Sequence, residues 1–160
     1  MTSITGRFWR TIFAADLDRI LEGVISPEGR YHHDRQKALY VSPTPDFSRD
    51  AVDIYLRDGD PPRIVVPLAI EGAKFLDVRQ SDVQHALGLD GTEANTLWQP
   101  ERKVGRPATS WIASDAVRNA GADGMIYAAR SEPTRWHIVL FRWNGSDGPR
   151  ITTDGPPIPF

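Results

Sequence analysis

A chain of 160 residues with 40% hydrophobic and 25% charged content is expected to form one globular domain with a substantial core. Its formal net charge of −2 and its scattered basic residues speak against direct nucleic-acid binding. The lack of cysteine excludes a disulfide framework, a thiolate metal site and a cysteine nucleophile.

Met1 to Trp9 has no long apolar core and does not read as a signal peptide, and no apolar run approaches membrane-spanning length. A cytoplasmic protein without membrane contact is the expectation. Phe8 to Phe13 reads as a short opening strand, and Asp16 to Leu21 as a helical segment with Leu17, Ile20 and Leu21 on one face. Ser26-Pro27-Glu28-Gly29 is a turn, and Ala38 to Ser42 a strand. Thr44-Pro45-Asp46 starts a helix, with a hydroxyl cap, proline at the first helical position and an acid in the first turn. That helix is expected to reach about Leu56, with Phe47, Ala51, Ile54 and Tyr55 along one face.

Arg63 to Ile70 is the next strand, followed by a short one over Phe75 to Val78. Ser81 to Leu87 reads as a helix closed by Gly88. Asp90 to Pro107 is polar and is expected to be a mobile connection around a short helix. Ser110 to Ala120 is a helix ended by Gly121, Gly124 to Ala128 a strand, Glu132 to Thr134 a loop, and His137 to Trp143 the strongest strand in the chain. The Gly- and Pro-rich tail after Asn144 is expected to wrap the surface. Irregular alternation without a repeat predicts an α+β single domain around a central sheet.

The chemistry concentrates in Gly29-Arg30-Tyr31-His32-His33-Asp34-Arg35-Gln36-Lys37-Ala38-Leu39-Tyr40. Arginine reads phosphate through a planar fork whose charge does not titrate. Tyrosine offers a flat face and a polar tip. Arg30 and Tyr40 together suit a ligand that is anionic at one end and aromatic at the other, such as a nucleotide; the alternative is a surface arginine near a core tyrosine. His32, His33, His85 and His137 form no familiar zinc spacing, so no metal is expected. His33 reads as exposed, and His137 as core or strand-edge packing. Trp136 and Trp143 lie near the ends of a strand, which leaves at least one as a candidate for exposure to a partner. Walker, Gly-x-Gly-x-x-Gly and Gly-x-Ser-x-Gly motifs are absent.

Gly29-Arg30-Tyr31-His32 followed by Ala38-Leu39-Tyr40, then Ser110-Trp111, then Gly124-Met125-Ile126-Tyr127-Ala128-Ala129 and Val139-Leu140-Phe141, resembles the RES domain family in order and spacing. The resemblance covers roughly Arg7 to Asn144, leaving 145–160 as a tail of the single domain 1–160. It implies an ADP-ribosyltransferase-like fold, a central split β-sheet flanked by helices. It also implies a toxin that consumes NAD⁺ as substrate, neutralised by a helix-turn-helix antitoxin. The acceptor stays open: water or phosphate in NAD⁺ breakdown, or a protein in ADP-ribosylation.

On this resemblance Arg30 would hold phosphate, Tyr40 would stack on or line the nicotinamide pocket, and His32 would donate to a ribose hydroxyl or phosphate. The family's glutamate aligns with Ala51 and its serine with Ala129. Alanine at 51 is a natural divergence, an introduced inactivating change or a shift of register. Asp50 and Asp53 are then the local candidates for the carboxylate, and Ser131 for the hydroxyl. A member that only binds a nucleotide or its antitoxin is the remaining alternative.

Overall fold

The opening strand runs well beyond its apolar centre. β1 spans Thr2–Phe13 because it lies antiparallel along β3, Arg63–Asp77. β3 fuses the two strands expected over 63–70 and 75–78: β1 pairs with it on both sides of Gly72, with a register shift between Ile4 and Gly6 opposite Glu71 and Gly72. The structure is a computed structural model and describes residues 1–160.

β3 keeps β1 on one edge and takes three partners in turn on the other. β7 (Ile158–Pro159) pairs at Ile64 and Val65, and β6 (Arg150–Thr153) pairs from Leu68 to Glu71. Further along, β4 (Gly124–Ala128) pairs in parallel from Phe75 to Asp77. β4 continues antiparallel to β5 (Trp136–Leu140), and β5 to β2 (Leu39–Val41). The result is a mixed seven-stranded sheet that forks along β3, in a single α+β domain. The tail does not merely wrap the surface: its two strands extend the sheet and bury Ile151.

Four short helices flank the sheet: α1 (Pro45–Asp50), α2 (Ser81–Ala86), α3 (Trp98–Lys103) and α4 (Ser110–Asn119). Single turns of 3-10 helix cover Asp53–Tyr55 and Glu93–Asn95, and a longer one covers Ala14–Arg19, overlapping the helical segment expected over Asp16 to Leu21. Thr44 caps α1 as expected, its Oγ1 accepting from the Phe47 amide at 3.1 Å. The helix stops at Asp50 rather than Leu56. Val52 and Tyr55 bond three residues back instead of four, which tightens the chain into a 3-10 turn. The expected apolar face is therefore not buried, and Ile54 is 66% exposed. No helix is long and apolar enough to cross a membrane.

Alternation divides the core in two. Phe8, Leu39, Val41, Leu68, Phe75, Ile126, Ile138 and Leu140 pack on one side of the sheet. Met125, Tyr127, Val139 and Phe141 face Ala113 and Val117 of α4 on the other. A Cβ at Gly124 would collide with the Val139 carbonyl oxygen and the Phe75 ring, so only glycine lets β4 sit this close to β5. Trp143 is buried, and Trp136 is half-buried, edge-on to Phe8.

Candidate functional site

A cleft of about 480 Å³ opens beside the α4-facing side of the sheet. It is lined by Arg30, His32, Tyr40, Ser42, Asp50, Ala51, Tyr127, Ala129, Arg130, Ser131, Arg135 and His137, among others. Small-molecule sites span roughly 300–1,000 Å³, so the volume suits a ligand of that class.

The loop that carries Arg30 is held by α4. Ser110 Oγ donates to the Arg30 carbonyl at 2.5 Å, Trp111 Nε1 to the Gly29 carbonyl at 2.7 Å, and Arg118 Nη1 to the Tyr31 carbonyl at 3.0 Å. The Ser-Trp pair of the sequence thus has a physical task, which is to fix the backbone on which Arg30 rides. The guanidinium lies over the rings of Tyr31 and Tyr127, at 4.9 and 5.2 Å. One nitrogen donates to the Ala94 carbonyl at 2.9 Å, an acceptor shared with the Tyr31 hydroxyl at 2.6 Å. The other N–H groups of Arg30 have no protein acceptor. Asp90 to Pro107, expected to be mobile, thus contributes through Ala94 to the site.

Tyr40 presents a face rather than a hydroxyl. Its Oη accepts from the Tyr31 amide at 3.0 Å and meets His32 Nδ1 at 2.9 Å. His32 Nε2 lies 3.1 Å from the Ser26 carbonyl, which only accepts. The neutral ring therefore carries its proton on Nε2, and Tyr40 donates to Nδ1. Burial pushes the His32 pKa down, and burial pushes that of Tyr40 well up, so both are neutral near pH 7. His32 was expected to reach ribose or phosphate; both of its ring nitrogens are already engaged by the protein.

The acids are placed unequally. Asp50 lines the cleft but is paired with Arg135 at 2.6 Å. Glu28, the other acid in the lining, is paired with Arg102 at 3.2 Å. Asp53 is exposed on the 3-10 turn and does not line the cleft. Ala51 closes α1, is exposed and lines the cleft. Ser131 is exposed at the mouth beside Arg130. Arg30 and Arg130 have no carboxylate partner, and Arg10, also in the lining, is held by the Ile20 and Gly23 carbonyls. No group of three or more His, Asp or Glu side chains is placed to hold a metal ion.

Two side chains depart from their expected roles. His137 is not plain packing: it lines the cleft, with Nδ1 at 2.8 Å from Ser42 Oγ. His33 is not simply exposed. It lies 2.8 Å from both Asp34 and Asp115 and stacks on Trp111 at 4.6 Å. Burial alone would lower its pKa, but hydrogen bonds to Asp115 and Asp34 outweigh that and raise it. Tyr127 also lines the cleft, a position marked beforehand only by its motif. Extending the antiparallel β2–β5 register one residue past Val41–Ile138 brings Ser42 to His137, a signal that only the strand pairing carries.

The RES domain profile matches residues 3–160, and the chain belongs to that family. The fold is also that of a solved structure described as the Mycobacterium tuberculosis MbcT-MbcA toxin-antitoxin complex. The match has a TM-score of 0.61 at 12% identity and covers 99% of this chain and 85% of that one. No curated protein sequence matches this chain.

Proposed function

We propose that this protein is an NAD⁺-consuming toxin of a toxin–antitoxin module, acting in the cytoplasm and cleaving the nicotinamide–ribose bond. The observation that carries this reading is the pair of cations without a carboxylate partner, Arg30 and Arg130, in a cleft floored by Tyr40 and Tyr127. That arrangement suits a pyrophosphate joined to an aromatic ring. Family membership and the fold of the solved toxin–antitoxin complex support an antitoxin as the protein partner, and in this reading that antitoxin is of the helix-turn-helix type. Nicotinamide leaves NAD⁺ as a neutral molecule from a cationic ring, and the ribose passes through an oxocarbenium-like state. The protein's task is to hold the phosphates, seat the ring and place negative charge near the ribose. Water or phosphate is the acceptor in this reading, with protein ADP-ribosylation as the variant in which a docked protein takes its place.

Asp50 is the acid available for the ribose cation, and it would have to leave Arg135 to serve. That pairing, together with Ala51 and Ala129, favours a second reading: a member that binds nucleotide or antitoxin without turnover. Calorimetry with NAD⁺ beside an assay of released nicotinamide separates the two. Binding with release supports the enzyme, binding without release supports the second reading, and no binding removes both as nucleotide readings. In a folded Ala51→Glu variant, release is expected to rise by ~100-fold or more if a well-placed charge is restored.

A further inference from the structure

Two polar atoms on the cleft floor have no protein partner. Tyr127 of β4 and His137 of β5 are cross-strand neighbours with rings 5.6 Å apart, and they are only 6% and 4% exposed. His137 bonds through Nδ1 alone, and Tyr127 Oη makes no hydrogen bond to the protein. Every side-chain nitrogen or oxygen sealed from solvent does have a partner. His137 Nε2 and Tyr127 Oη therefore open onto the cleft that both residues line. Polar groups buried this deeply are normally satisfied, so the floor is built to meet a polar ligand group or water.

Ser42 decides what His137 presents. His137 Nδ1 is the sole protein partner of Ser42 Oγ. The hydroxyl hydrogen of Ser42 has no other acceptor in the protein, so the arrangement that satisfies it has Oγ donating to Nδ1, which places the proton of the neutral ring on Nε2. Burial, reinforced by Arg30 and Arg135, holds the His137 pKa down to about 4, so the ring is neutral near pH 7. Burial raises the pKa of Tyr127, which keeps its phenol and leaves an oxygen able to accept. The floor thus offers an uncharged N–H donor beside an uncharged hydroxyl.

We propose that His137 Nε2 and Tyr127 Oη form a specificity subsite for an uncharged carboxamide, the imidazole N–H donating to its carbonyl oxygen and the phenol oxygen accepting from its NH₂. The assignment rests on the NAD⁺ reading and seats the nicotinamide end on the floor, leaving Arg30 and Arg130 to the phosphates. Neutrality matters here. An imidazolium would repel a pyridinium ring and the ribose cation formed from it, whereas a neutral imidazole reads the amide without adding charge.

The test compares NAD⁺ with its analogue carrying hydrogen in place of the carboxamide, by calorimetry on the unmodified chain, Tyr127→Phe and His137→Phe. The unmodified protein is expected to prefer NAD⁺ by at least about 10-fold, the scale of one net hydrogen bond. Each variant should lose that preference while binding the analogue as before. Tyr127→Phe removes a single oxygen and keeps the ring, so the test stands even if His137→Phe does not fold. Equal loss for both ligands, or a preference kept in Tyr127→Phe, overturns the subsite. An unmodified chain that binds the two ligands equally overturns the subsite but not the NAD⁺ reading. A chain that binds neither overturns that reading and the subsite with it.

Discussion

Arg30 is tethered by one of its nitrogens to the Ala94 carbonyl and lies over two tyrosine rings, leaving its remaining N–H groups toward the cleft. Arg30→Ala is expected to weaken NAD⁺ binding by about 1.5–3 kcal/mol, the scale of charge-assisted hydrogen bonds. Arg30→Lys should restore only part of it, because an ammonium lacks the planar fork that both stacks and chelates. Calorimetry checks this, with a melting curve to confirm the fold; unchanged affinity in a folded Arg30→Ala protein would remove Arg30 from the site. Arg30 and Tyr40 were legible in sequence because a short polar turn and a strand start place two unmistakable side chains a fixed distance apart. The commitments of Asp50 and His32 were not legible. Arg135, which holds Asp50, lies in a distant loop, and the Ser26 carbonyl that holds His32 carries no side-chain signal.

The arginine loop and α4 behave as one unit, and His33 helps to join them. His33 contacts Asp34 on its own loop and Asp115 on α4, where Gln36 Nε2 also donates to Asp115 Oδ1 at 3.1 Å and Arg118 lies 3.7 Å away. The His33 pKa is raised from its ordinary value of 6.5. Its contribution to stability is therefore fully present below that value and is lost as pH rises through the higher folded value. Asp115→Asn should destabilise the protein more at about pH 6 than at about pH 8.5, read by urea unfolding at both. A pH-independent difference would mean that the imidazolium–carboxylate contact adds nothing. Helix ends of this kind are readable from sequence where the signal is local. Thr44 caps α1, and Gly121, with φ +76°, follows α4. The length of α1 is not readable from sequence, because apolar spacing over Phe47 to Tyr55 imitates a helix face that no partner covers.

At the scale of the whole molecule, β3 organises everything by pairing with β1 along one edge and with β7, β6 and β4 along the other. The C-terminal strands are part of that frame. Ile151→Ala should cost about 2–4 kcal/mol in urea unfolding, as for other buried large-to-small changes, whereas a tail that merely wrapped the surface would give a change within about 0.5 kcal/mol. The sequence by itself determined the α+β class, the strand over 124–128, the cap at Thr44 and the arginine–tyrosine spacing. Each of these is written in a short window of neighbouring residues, where turn chemistry, capping and side-chain period act. Only the tertiary structure decided what lines the cleft. Ser42 meets His137 across 95 residues, Ser110 meets Arg30 across 80, and Trp111 meets Gly29 across 82. Such contacts follow from strand register and helix placement, which depend on how the whole chain buries its apolar surface, and no local window records them.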